Sequence, residues 1–448
     1  MLTFSIYAPK VLTTQVGIGQ IMMLTDGYGN KISVDSQAAL DLYDQGVRLF
    51  LGAGFGAPDA FQSSVDLDPN FALGHVALAR SLMMSGQMPQ AKAAITRAQE
   101  LGSNLDSRQR QHIECMVLLS SGQPKQAREL VKNHVRDYPR DALIAQLCAS
   151  VFGLIGFSGE VGREAELLAY TSALLPHYGD DWWMMSMHAL SLCETGQIDA
   201  STRLMDKSLA LNPRNANAAH FKSHAQYEGG ETAAGRQYLA GWLSDYDDRA
   251  ILHGHLSWHS ALWALHDGDE AGMWAAIDAG VGPGAAKGLP INVLTDTAAI
   301  LYRAEMAGLS VDPVRWSALS DYAQRFFPET GQSFADMHAA LSHAMAGNGD
   351  RLAHISDTAK GFAGDLVKPL AQAWGAIARE NWSDALEELG QVMGSTERLG
   401  GSRAQRDLLE LTYANVLLKL GKTAEAQRCL TTRRPVLTAN LSLAGFHS

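Results

Sequence analysis

The chain has 448 residues, 46% of them hydrophobic and 19% charged, which is ample material for a buried core. Its formal net charge is −11 and no helix-forming stretch carries a basic stripe, which argues against nucleic acid and anionic membrane as partners. No run reaches the roughly 18 apolar residues of a membrane span, and the four cysteines, Cys115, Cys148, Cys193 and Cys429, lie far apart without CxxC spacing, which favours reduced thiols in a cytoplasmic protein.

Residues 1–34 read as an N-terminal extension, poorly ordered, with Met22 or Met23 as an alternative start. They lack the basic n-region and cleavage site of a signal peptide. "LGAGFGAP" (51–58) is glycine-rich but lacks the Lys-Ser/Thr of a phosphate loop, so it reads as a turn between helices.

A repeat then dominates. "ALARSLMMSGQMPQAKAAITRAQEL" (77–101), "CMVLLSSGQPKQARELVKNHV" (115–135), "HALSLCETGQIDASTRLMDKSLALNP" (188–213) and "YANVLLKLGKTAEAQRCL" (413–430) share a plan: an apolar periodic segment, a Gly-centred turn, and a small residue five positions later. The pairs are Gly86/Ala91, Gly122/Ala127, Gly196/Ser201 and Gly421/Ala426, with weaker turns at Gly156, Gly230, Gly268 and Gly349. Glycine permits the left-handed residue that ends a helix, and the small residue lets the next helix pack closely. Prolines such as Pro69, Pro139 and Pro213 close units, because the chain cannot continue as helix behind them. One such unit cannot bury its own apolar face, so copies stack.

The Gly-x4-Ala spacing and the closing proline of "SLALNP" resemble tetratricopeptide repeats. The ordered blocks "DPNFALGHVALARSLMMSGQ", "AAHFKSHAQYEGG", "HLSWHSALWALHDGD" and "FADMHAALSHAMAGNGD" are similar to the tetratricopeptide repeat protein 38-like family. The expected fold is all-α: a tetratricopeptide-like α-solenoid of stacked antiparallel helix pairs over residues 35–435, with a C-terminal tail over 436–448 and enough curvature for its ends to approach. The resemblance implies that positions two, five and nine of each first helix line a concave groove. Counting units from Ala216 and Gly254 puts His220 and His224 at five and nine, and His255 and His259 at two and six.

These two HxxxH pairs are the candidate site. Residues four apart share a helix face, packed helices lie about 8–10 Å apart, and four imidazoles could share one divalent metal (zinc, iron or manganese) at roughly 2.0–2.1 Å. Asp296 or His338 would complete the shell, with Asp336, His188 and Glu194 as further inner-helix candidates. The competing structural reading is that the histidines line a polar groove or bond one another in the core; His75, His112, His134, His177, His343 and His354 get that reading outright. Trp258, Trp263 and Tyr227 supply an aromatic rim suited to a small-molecule pocket or to a repeat core. "DWWMMSMHAL" (181–190) reads as core with some groove lining.

Three functions follow. The first is binding of a peptide, partner protein or small ligand in the groove by His220, His224, His255, His259, His338, Trp258 and Tyr227. The second is a metal-dependent enzyme, a hydrolase, built in the cavity. The third is an oligomerisation module, and a homodimer is allowed.

Overall fold

The computed structural model describes residues 23–446. A hairpin of β1 (Met23–Thr25) and β2 (Lys31–Ser33) opens them. Arg108 Nη2 donates to the Lys31 carbonyl at 2.7 Å, and Ser33 N–H donates to Gln109 Oε1 at 3.0 Å. The second part of the expected extension is thus fastened to the repeats; residues 1–22 lie outside the described residues.

Helices follow as pairs. They are α1 (Gln37–Leu51) with α2 (Ala57–Leu67), α3 (Ala72–Met84) with α4 (Met88–Leu101), and α5 (Ser107–Ser120) with α6 (Pro124–Asp137). A one-turn helix α7 (Ala142–Ala145) and an irregular stretch lead to α8 (Arg163–Tyr178). Pairing resumes with α9 (Trp182–Glu194) and α10 (Ile198–Leu211), α11 (Ala216–Glu228) and α12 (Thr232–Leu243), and α13 (His253–His266) and α14 (Glu270–Ala276). The last pairs are α15 (Pro290–Met306) with α16 (Pro313–Phe326), α17 (Ser333–Met345) with α18 (Gly349–Thr358), α19 (Gly364–Ala378) with α20 (Trp382–Val392), and α21 (Arg403–Lys419) with α22 (Thr423–Arg433). The chain is an all-α, tetratricopeptide-like solenoid of antiparallel helix pairs.

The glycine turns behave as their chemistry requires. Gly86, Gly122, Gly196, Gly230, Gly268 and Gly421 all take φ between +71° and +81°, where an L side chain is strained. Ala91, Ala127, Ser201 and Ala426 are all buried at the helix contact that follows. Two expected turns differ. In α17–α18 the left-handed residue is Gly347 (φ +72°), and Gly349 instead opens the next helix. Gly156 belongs to the irregular stretch, where Gly159 and Gly162 take positive φ.

The first helices of successive pairs, α15, α17 and α19, pack on one another along the inner side. Curvature brings distant units together: α21 packs against both α11 and α15. Three contacts show how tightly. Arg303 donates to the Ala404 carbonyl at 2.9 Å, Tyr227 donates to Asp407 at 3.0 Å, and Arg434 forms a two-pronged pair with Glu228 at 2.8 Å and 2.8 Å. Curvature thus lays the chain's own α21 against the first helices α11 and α15, bringing the ends of the array together as expected. The segment after residue 435 is also packed: Ala444 N–H donates to the Met306 carbonyl at 2.9 Å, and Leu441, Leu443 and Phe446 are buried.

Candidate metal centre

Two helices carry the site. Pro213 follows α10, and the Asn215 side chain then accepts from the Ala218 N–H, which starts α11 as an N-cap. The start of α13 is fixed by close approach. A Cβ on Gly254 would lie 2.8 Å from the Gly280 carbonyl oxygen, in the single π-helical turn Ile277–Val281. Only glycine lets the helix sit there, and His255 follows directly.

His220 and His224 project from one face of α11, and His255 and His259 from one face of α13. The four rings form one cluster, with centroids 4.5 Å apart for His220–His224 and His220–His255 and 4.6 Å for His224–His259. One nitrogen from each residue can be chosen so that all four lie within 4.8 Å of one another. Zinc–imidazole bonds of about 2.0–2.1 Å give tetrahedral N–N separations of roughly 3.3 Å. The Nε2 atoms of His220 and His224 are hydrogen-bonded to each other at 2.7 Å, closer than that, so this pair would open slightly around an ion while wider pairs closed.

The surroundings are dry: His220 is 4% exposed and the other three 1%. Histidines in a solvated groove would not be enclosed like this, and that part of the sequence reading is corrected. Burial pushes the His220 and His259 imidazoles well below the usual range, with repulsion from the neighbouring histidines adding to it. Burial, then His255, pushes His224 down to about 3. Uncharged imidazole is the form that can ligate a metal.

Each of the four rings also keeps one buried nitrogen without a hydrogen-bond partner among the described residues: His220 Nδ1, His224 Nδ1, His255 Nε2 and His259 Nε2. Each such atom costs about 1–3 kcal/mol if left unpaired.

Asp296 stands behind the cluster, outside the group of four. Its Oδ2 accepts from His255 Nδ1 at 2.7 Å, and both residues are buried. That bond commits Nδ1 as the donor and leaves the His255 Nε2 lone pair for the cluster, which is how carboxylates orient metal-bound histidines. Trp258 lies flat on His255, with centroids 5.2 Å apart and planes at 15°, and is 5.0 Å from His259.

Other candidates are elsewhere. His338 Nδ1 donates to the Phe334 carbonyl of its own helix at 2.7 Å and lies outside the four-histidine group. Tyr227 binds Asp407 in the contact that closes the solenoid. Asp336 accepts from the Gly331 N–H at 2.9 Å, Glu194 accepts from the Arg403 N–H at 2.9 Å, and His188 bonds Thr171 at 3.1 Å. Sequence reading missed the Glu228–Arg434–Asp407 cluster, and a separation of 206 residues between Glu228 and Arg434 leaves no spacing signal to find.

No family model matches the chain. Among solved structures, it is similar to yeast Tom70 at 14% identity, covering 88% of this chain and 91% of that one with a TM-score of 0.34. It is also similar to Naa15/Naa10 bound to HypK-THB (14% identity, 90% and 70% covered, TM-score 0.24). A third likeness is to the TPR domain of P58(IPK) (13% identity, 88% and 98% covered, TM-score 0.21). Among the described residues no helix is long and apolar enough to cross a membrane.

Proposed function

We propose that this chain is a helical-repeat metalloprotein in which His220, His224, His255 and His259 hold one divalent transition metal. The observation that carries the proposal is four buried imidazoles whose ligand atoms lie within 4.8 Å of one another. Imidazole suits zinc, iron, copper and nickel, whereas manganese favours oxygen ligands, so zinc and iron come before manganese. The resemblance of the sequence blocks to the tetratricopeptide repeat protein 38-like family is compatible with this role and names no ligand.

Four protein ligands in a closed pocket are the pattern of a structural metal. A hydrolase needs an open coordination position for water, and the enclosure of all four rings gives that reading little support. The ion would cross-link α11 to α13, and so hold consecutive repeats in one register.

The test is metal content per chain in untagged protein exposed in turn to zinc, ferrous iron and manganese. One equivalent is expected in the wild type and none in a His220→Ala, His259→Ala double variant. Absence of stoichiometric metal from the wild type with every ion would end the proposal.

A further inference from the structure

The four imidazoles are sealed in, so an ion can reach them only when part of the chain moves. The segment after α22 is placed to be that part. It makes a single turn of 3-10 helix at Leu437–Asn440 and then runs without regular structure to Phe446. Leu437, Leu441, Leu443 and Phe446 are nonetheless buried against the repeats. Gln427 of α22 donates to the Phe446 carbonyl at 2.9 Å and folds the segment back.

Its path crosses the three units that carry the four histidines and Asp296, and it touches the C-terminal end of each first helix. Beyond α11, a Cβ on Gly230 would lie 2.9 Å from Val436 Cγ1, and Leu437 packs with Tyr227. At α13, Ser442 Oγ donates to the Leu265 carbonyl at 3.0 Å. At α15, Ala444 N–H donates to the Met306 carbonyl at 2.9 Å, and a Cβ on Gly308 would lie 3.7 Å from Ala444 Cβ. Tyr227 stands one turn beyond His224, and Leu262 one turn beyond His259. The hold is loose where Leu441 and Leu443 meet Leu262, Leu265, Met306 and Leu411. A gap of about 20 Å³ remains there, room for about one water.

We infer that residues 435–446 form a strap that gates the metal centre. Its opening lets the ends of α11, α13 and α15 part, and so sets how fast metal enters and leaves. An irregular segment held by a few apolar side chains opens long before the fold as a whole does. The two histidine pairs sit on different helices, so parting α11 from α13 separates the ligands and admits water. The inference rests on the metal reading proposed above.

The test is stopped-flow kinetics on the full chain: zinc-loaded protein mixed with a chromophoric chelator for release, and metal-free protein mixed with zinc for entry. Wild type is compared with a Leu441→Ser, Leu443→Ser double variant, whose changes lie outside the repeats. Both rates should rise by on the order of tenfold or more with the dissociation constant unchanged, because a gate acts equally in both directions. Ser442→Ala, which removes only the hydroxyl bonded to α13, should raise both rates a few-fold and carries the test if the double variant does not fold. In the metal-free chain, amide exchange at the ends of α11, α13 and α15 should quicken in the double variant and stay unchanged in α5 and α6. The inference is overturned if neither variant changes the rates, if release alone quickens so that affinity falls, or if exchange quickens evenly along the chain. A wild type that takes up no stoichiometric zinc, iron or manganese sinks the metal reading itself, and the gate with it.

Discussion

His255 donates from Nδ1 to Asp296 at 2.7 Å, joining α13 to α15 across 41 residues of sequence. The bond commits Nδ1 and leaves Nε2 without a protein partner among the described residues, and it places a carboxylate beside the proposed metal site. Asp296→Asn should therefore leave the four ligands in place yet lower metal affinity by about 10–100-fold. His338→Ala should leave metal affinity unchanged, because His338 is bonded to its own helix. Competition titration against a chromophoric chelator measures both. Equal affinity in wild type and Asp296→Asn would remove Asp296 from the site.

Acid should destabilise the metal-free protein through His224. Its folded pKa is pushed down to about 3 by burial and His255, whereas the unfolded chain takes up a proton near 6.5. The stabilising contribution is complete above about 6.5 and is lost as pH falls toward 3, because the unfolded state binds the proton first. Between pH 7 and pH 5 this one residue should remove about 2 kcal/mol. Urea unfolding of chelator-treated protein at both pH values, compared with His224→Gln, isolates the effect. A pH dependence identical in the two proteins would contradict it.

The closure of the solenoid depends on a buried ion cluster. Arg434 bridges Glu228 at 2.8 Å and Asp407 at 2.7 Å, with all three residues buried. Arg434→Ala leaves Asp407 without its paired cation and Glu228 with only Arg403 at 3.5 Å among the described residues, and should cost about 3–5 kcal/mol. A loss under about 1 kcal/mol in urea unfolding would mean that water repairs the gap and the cluster contributes little.

Gly235 and Gly241 separate close packing from helix propensity within α12. A Cβ on Gly235 would lie 2.5 Å from the Trp263 ring, whereas one on Gly241 meets nothing within 4 Å. Gly235→Ala should destabilise by about 1–3 kcal/mol through overpacking. Gly241→Ala should stabilise by about 0.5–1 kcal/mol. Trp263 is 6.1 Å from the His259 ring, so Gly235→Ala should also weaken metal binding. Melting temperatures of the two variants should move in opposite directions, and movement in the same direction would refute this account.

Local chemistry alone determined the repeat. A left-handed glycine and a small residue five positions on are conditions that one turn and one helix contact impose, so Gly86/Ala91 and Gly122/Ala127 announce themselves in any such chain. The spacing of His220 from His224, and of His255 from His259, likewise fixes that each pair shares a helix face, because 3.6 residues make a turn. Exact turn position was less legible: "AGNGD" offers two glycines, and Gly347 takes the positive φ because the helix ends before Asn348. Tertiary structure decided the rest. Whether the two histidine pairs meet depends on the rotation between successive units, and whether the concave side stays open depends on the sum of those rotations. Here the sum carries α21 back onto α11 and α15 and joins Glu228 to Arg434. A small angle repeated along the array sets these long-range contacts, and no short stretch of sequence encodes it.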